Sequence, residues 1–184
     1  EYIDSSNNVF GFWSGKHLGQ GHLSNANLIK NYIDKDGSRF RPLQFLIDRK
    51  SMEKAGQWSE KYFLEDYDFT VRHLCMTEFH RVDQQIVRFR DRPESHGHQP
   101  QIHADSQMDV IEQYAELLQN KSGINPKVFY TNTLCRIILM FIHKQSTSTA
   151  LQKYFFYKKK YRNKINTLDV SIFSLVAYTK YQLK

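Results

Sequence analysis

The stretch QIHADSQMDVIEQYAELLQNKSGINPKVFYTNTLCRIILMFIHK, residues 101–144, decides which fold this chain can adopt. Its first part places apolar residues at Met108, Val110, Ile111, Tyr114, Leu117 and Leu118. That spacing of three and four predicts an amphipathic helix over 101–119. NKSGINP (120–126) ends it, and KVFYT (127–131), β-branched and aromatic, reads as a short buried strand. NTLCRIILMFIHK (132–144) reads as a loop leading into a buried helix. Helix, strand and helix in that order predict an α+β fold, α/β/α-like, helix-rich, with one domain over 1–184 around a small sheet.

The flanking sequence fills in around this core. Gly, Ser and Asn cluster in 11–27, a loop that leads into a helix over SNANLIKNYID (24–34) with Ser24 as its N-cap. RFRPLQFLID (39–48) contains a proline and a short apolar run and reads as an edge strand. Residues 51–66 read as helical. Val71, Leu74, Cys75, Phe79, Val82, Ile86 and Phe89 then predict one amphipathic helix of about five turns. DRPESHGHQPQ (91–101) is a loop by composition. TSTALQKYFFYKKKYRNKIN (147–166) and the closing LDVSIFSLVAYTKYQLK both read as helices.

Composition narrows the function classes. Hydrophobic residues make up 40% and charged residues 24%, a globular balance rather than a disordered one. No apolar run is long enough to span a bilayer, and the first residues lack the basic and apolar regions of a signal peptide. The chain begins on Glu1 rather than Met, as a piece of a longer protein would. Two cysteines, Cys75 and Cys135, make no disulfide framework and point to reduced thiols inside a cell. The net charge is +7, but residues 144–184 alone hold nine Lys/Arg against Asp169. The rest of the chain is close to neutral, so this basic C-terminal segment predicts an anionic partner, nucleic acid first.

Within 153–164, KYFFYKKKYRNK, cations alternate with aromatics. Lys158, Lys159, Lys160, Arg162 and Lys164 are candidates to neutralise phosphates, while Tyr154, Phe155, Phe156, Tyr157 and Tyr161 either stack on bases or fill a core. His96, His98 and His103 lie close in sequence, a grouping that binds transition metals or sits in an exposed loop. LGQGHLSNA (18–26) has the outline of a kinase glycine loop, but no other kinase motif follows.

His103-Ala104-Asp105-Ser106-Gln107-Met108 resembles the His-Ala-Glu-x-Gln-Leu/Met pattern of the zinc-dependent cytidine-deaminase-like superfamily, in the versions found in bacterial toxins and fungal proteins. Thr131-Asn132-Thr133-Leu134-Cys135 resembles the Ser-Lys-x-x-Cys that follows the next strand in those domains, so the resemblance covers roughly 100–145. It implies His103 and Cys135 as zinc ligands and Asp105 as the proton shuttle of a hydrolytic deaminase acting on nucleobases. Two departures stand out: Asp105 replaces the family's Glu, and Ile138 stands where the second cysteine is due. A catalytically degenerate site is one consequence. Two alternatives keep other residues in play: a non-enzymatic module binding nucleic acid or protein, and a metal-independent ribonuclease of the helical HEPN type using Arg136 and His143. The expected location is cytoplasmic or nuclear, or a host cell if the protein is a delivered toxin.

Overall fold

The computed structural model describes residues 2–3, 9–11, 21–35, 46–81, 89–90 and 99–166. Of the expected loop over 91–101, residues 91–98, with His96 and His98, lie outside them, as does the expected closing helix over 168–184; Pro100 and Gln101 are already helical. The chain divides into two compact units, Glu1–His98 and Gln99–Lys184. It is helix-rich α+β, with the described strands confined to the first unit and the described part of the second made of helices joined by short turns and loops.

In the first unit, β1 (Tyr2–Ile3), β2 (Val9–Gly11), β3 (Gly21–Leu23), α1 (Asn25–Lys35), α2 (Arg49–Ala55), α3 (Glu65–Met76), β4 (Phe79–Arg81) and β5 (Phe89–Arg90) follow in chain order. β1 pairs antiparallel with β2 and parallel with β5. β3 and β4 form a separate antiparallel pair in which Leu23 faces Phe79 and Gly21 faces Arg81.

The expected five-turn helix from Val71 to Phe89 is corrected: it stops at Met76, and Phe79–Arg81 is a strand. Apolar spacing is blind to the partner. β3 supplies a ladder for residues 79–81, and the helix end is closed from the same side. Asn25 Nδ2 donates to the carbonyls of Leu74 and Thr77 at 2.6 and 2.7 Å, two acceptors left open by the end of α3. Thr77 has already turned to extended backbone. Thus the first residue of α1 caps the last turn of α3, one step beyond the strand pair.

α3 is buried along almost its whole circumference, from Tyr67 to Cys75. Four of those residues are polar, and each has a reason to be there. Asp68 and Arg72 form a buried ion pair at 2.7 Å. Arg72 also donates to the carbonyls of Ala55 and Gln57, closing the C-terminus of α2. Such multiple donation offsets the cost of burying the charge. Thr70 Oγ1 donates to Asp66 O at 2.8 Å. His73 Nδ1 lies 2.9 Å from Phe69 O, and its ring stacks on Phe69, which stacks in turn on Trp58. Burial, first among the causes, holds the His73 pKa below its ordinary value, so the ring is neutral and Nδ1 is the donor.

The expected helix over 51–66 is likewise shorter. Asp48 caps α2 by accepting from the Ser51 amide at 3.0 Å, and Gly56 stops it with φ +87° and ψ 161°. That conformation is open essentially to glycine alone. Of the expected edge strand 39–48, residues 46–48 are irregular and the others lie outside the described residues.

The second unit holds α4 (Pro100–Ser122), α5 (Pro126–Lys144) and α6 (Thr147–Lys160). The strand expected over 127–131 is corrected: those residues form the first turns of α5. Gly123, left-handed at φ 72°, ends α4, and Asn125 Oδ1 accepts from the Lys127 amide at 2.9 Å with Pro126 at the first helical position. A stop and a start are thus packed into Gly123-Ile124-Asn125-Pro126. Helix caps outweigh the β preference of Val128-Phe129-Tyr130-Thr131, a preference that reflects packing surroundings more than backbone chemistry. The core stripes follow: Ala104, Met108, Ile111, Ala115 and Leu118 on α4, Tyr130, Leu134, Ile137, Ile138 and Phe141 on α5, Ala150, Tyr154 and Tyr157 on α6.

A Cβ added at Gly56 would sit 2.8 Å from Arg72 Nη1 and would force the strained backbone onto an L-residue. Gly56→Ala is expected to destabilise the first unit by about 1–3 kcal/mol. Both tryptophans, Trp13 and Trp58, belong to that unit, so urea unfolding followed by tryptophan fluorescence reads it directly. An unchanged midpoint would show that the Arg72 closure of α2 carries no weight.

Candidate functional site

His103 and Asp105 lie in the first turns of α4, and Cys135 is the tenth residue of α5. The three-residue turn 123–125 joins the end of α4 to the start of α5, making an antiparallel helical hairpin. The starts of these two helices are therefore separated by roughly the length of α4, ~34 Å at 1.5 Å per residue. The arrangement implied by the deaminase resemblance, two helix starts meeting across one metal, is not the one this hairpin builds. Cys135 is buried in the interior of the hairpin, and neither cysteine is in a disulfide. Among the described residues, no three His, Cys, Asp or Glu side chains gather as a metal site requires.

Asp105 has a different engagement. Its Oδ1 accepts from the Tyr157 hydroxyl at 2.6 Å, and its Oδ2 accepts from Gln101 Nε2 at 2.5 Å. Both oxygens are held by side chains of the fold. Tyr157 is fully buried on α6, and burial, followed by the bond to Asp105, pushes its phenol far above the usual range. The hydroxyl therefore keeps its proton near neutral pH and donates to the carboxylate. The arrangement is that of a tether between α4 and α6.

A second tether repeats the first. Lys164 Nζ pairs with Glu112 at 2.5 Å, again 52 residues apart, as Tyr157 and Asp105 are. Two links with one sequence offset mean that α6 and the turn after it run parallel to α4. The Lys164 ammonium also sits 5.5 Å from the centre of the Tyr130 ring, and Asn166 N–H donates to Thr131 Oγ1 at 2.9 Å. The hydrogen bond to Glu112 is the main reason that Lys164 has a raised pKa. Because both partners of the pair are nearly half exposed, its contribution is at most ~1 kcal/mol.

This sorts the five candidate cations. Lys164 is committed to Glu112, and Lys158 donates to the Tyr154 hydroxyl at 3.0 Å. Lys160 lies 5.0 Å from the centre of the Tyr161 ring. Lys159 and Arg162 are exposed, and neither has an ion pair among the described residues. Of the two roles open to the aromatics, Tyr154, Tyr157 and Tyr161 take the core one, whereas the acidic stripe Asp105, Asp109, Glu112 and Glu116 along α4 escaped sequence reasoning. The signal for that stripe is its own spacing of three and four, which puts the acids on one face of the helix.

The remaining sequence candidates sit on α5. Arg136 donates through Nη2 to Thr133 Oγ1 at 3.1 Å, and His143 is exposed two turns further on along the same face. A concavity of about 530 Å³ opens at the start of α5, lined by Asn125, Lys127, Val128, Thr131, Asn132, Ile165 and Asn166. Its one charged group is Lys127, so its lining offers no acid–base pair.

No protein-family model matches this chain, and neither curated proteins nor solved structures include a significant match to it.

Removing the Tyr157 hydroxyl leaves one Asp105 oxygen to water and takes away one of the two links between α4 and the segment of α6 and its following turn. Tyr157→Phe is expected to lower the stability of the second unit by about 1–2 kcal/mol, as a hydrogen bond to a carboxylate does. Asp105→Asn, which keeps a carbonyl acceptor, should cost less. Urea unfolding followed by circular dichroism at 222 nm measures both, and a Tyr157→Phe midpoint equal to wild type would remove the tether.

Proposed function

We propose that the second unit is a nucleic-acid-binding module without a catalytic centre of its own. The observation that carries this reading is how α6 and the turn after it distribute their residues. Tyr154, Tyr157 and Tyr161 are buried against the bundle, while Lys159, Lys160 and Arg162 remain exposed. Exposed cations on a packed helix and the turn that follows it are what a phosphate backbone recognises, since each contact releases condensed counterions. The charge distribution of the chain agrees, with the excess concentrated in this segment.

The deaminase-like reading asks for a zinc-bound water held by His103 and Cys135 with Asp105 moving protons. The Asp105 carboxylate is spent on Tyr157 and Gln101, and Cys135 lies in the middle of α5 instead of at its start. Geometry therefore supports the binding module better than the enzyme. Metal analysis of the purified, folded chain separates the two. Well under one zinc per chain is expected. One equivalent of zinc that disappears in His103→Ala would overturn the proposal in favour of the hydrolase.

The binding claim makes its own forecast. The slope of log Kobs against log salt should become shallower by roughly one in Lys159→Ala and again in Arg162→Ala. Lys164→Ala should change it less, because that ammonium already faces Glu112. Binding that is absent or insensitive to salt would dispose of the module.

A further inference from the structure

Two side chains on α6 break the pattern of its burial. Phe155 and Phe156 are 62% and 54% exposed, although the helix has an apolar face into which tyrosines have been turned. An exposed phenylalanine beside a buried tyrosine reverses the usual preference, since the phenol is the group better suited to water. Neither ring hangs loose. The Phe155 ring meets that of Tyr154 edge-on at 5.1 Å between centres, and Phe156 meets Tyr157 edge-on at 5.1 Å. Each exposed ring is thus braced by a buried one.

The surroundings of the rings are cationic. Lys153 Nζ lies 5.8 Å from the centre of the Phe156 ring. Phe155, Lys159 and Arg162 follow at helical spacing on one side of α6 and its terminal turn. Braced aromatic faces alternating with phosphate-sized positive charges match a polymer that carries both a π-face and a negative charge at every unit.

We infer that this face of α6 binds single-stranded nucleic acid, with Phe155 and Phe156 as stacking platforms and Lys159 and Arg162 on the backbone; this rests on the reading of the unit as a nucleic-acid-binding module. The bases of a duplex are stacked on each other and unavailable to these rings, whereas those of a single strand are open to them. The acidic stripe argues in the same direction. Asp109, Glu112 and Glu116 on α4 are exposed, and Glu112 reaches Lys164 just beyond α6. A broad anionic surface, such as a duplex flank or a lipid headgroup layer, would bring negative charge against those acids. A single strand is narrow enough to follow the line of cations and avoid them.

The experiment uses the full chain and three probes: a fluorescently labelled single strand of about 15 nucleotides, the duplex of the same sequence, and vesicles of phosphatidylserine and phosphatidylcholine. Tighter binding of the single strand than of the duplex is expected by anisotropy. Phe155→Ala and Phe156→Ala should each weaken single-strand binding by roughly tenfold, while Phe155→Tyr, which keeps an aromatic face, retains it. Duplex binding should barely change in any of the three. Circular dichroism confirms that each variant is folded, as expected for exposed positions. Equal, salt-dependent binding of single strand and duplex, indifferent to both phenylalanines, would leave the module standing and overturn the single-strand inference. Binding to the vesicles alone would overturn both.

Discussion

The hydrogen bond from Tyr157 to Asp105 is the constraint from which the geometry of the second unit follows. It joins residues 52 positions apart and fixes which side of α6 faces the bundle. Once the Tyr157 hydroxyl is directed at α4, helical geometry places Tyr154 and Tyr161 on the same inward face and directs Phe155, Lys159 and Arg162 elsewhere. The Lys164–Glu112 pair then repeats the same register two turns on, too exposed to contribute much energy but consistent in direction. The interior supplies most of the stability through the apolar stripes of α4 and α5. The polar tether contributes less energy and more specificity, because it admits one rotation of α6.

The first unit solves a related problem with different chemistry. α3 is surrounded, so its polar residues are useful only where they meet open backbone groups. Arg72, balanced by Asp68, closes the end of α2, and Asn25 closes the end of α3. Each helix terminus leaves carbonyls without partners, and here side chains from other elements supply the donors. The caps therefore hold α1, α2 and α3 together, and Gly56 exists to let one of them pass.

The two readings of residues 101–108 differ in what they ask of one carboxylate. A proton shuttle must release its partners during a reaction, whereas a tether must keep them. Asp105 holds Tyr157 and Gln101 with two short hydrogen bonds. The same residues that resemble a metal-and-acid motif thus position a helix whose other face is positive and aromatic. The charge of the segment is not all available for a partner, since the acidic stripe of α4 claims part of it. Among the described residues of the segment, Lys159 and Arg162 stand exposed in a row, and the proposed single-strand selectivity rests on the narrowness of that row.

Much of this was legible in the amino-acid order. The helices at 24–34 and 101–119 follow from apolar period and caps, as does the one expected over 147–166 as far as Lys160, and the basic segment follows from composition, because these are local properties; residues 161–166 are turn instead of helix. The strand assigned to 127–131 failed because β-branched and aromatic residues suit any buried surface, while the Asn125-Pro126 helix start was the stronger local signal. The helix drawn on past Met76 failed at 79–81 because a strand partner 56 residues upstream, Leu23 against Phe79, outcompeted continuation. Which candidate residues share a site was not local at all. Sequence alone determined where helices begin, which positions are apolar and where positive charge accumulates. Only tertiary structure decided that Asp105 faces Tyr157, that Glu112 takes Lys164 and that two phenylalanines stay outside. Those outcomes depend on the rotation and direction of helices packed from distant parts of the chain.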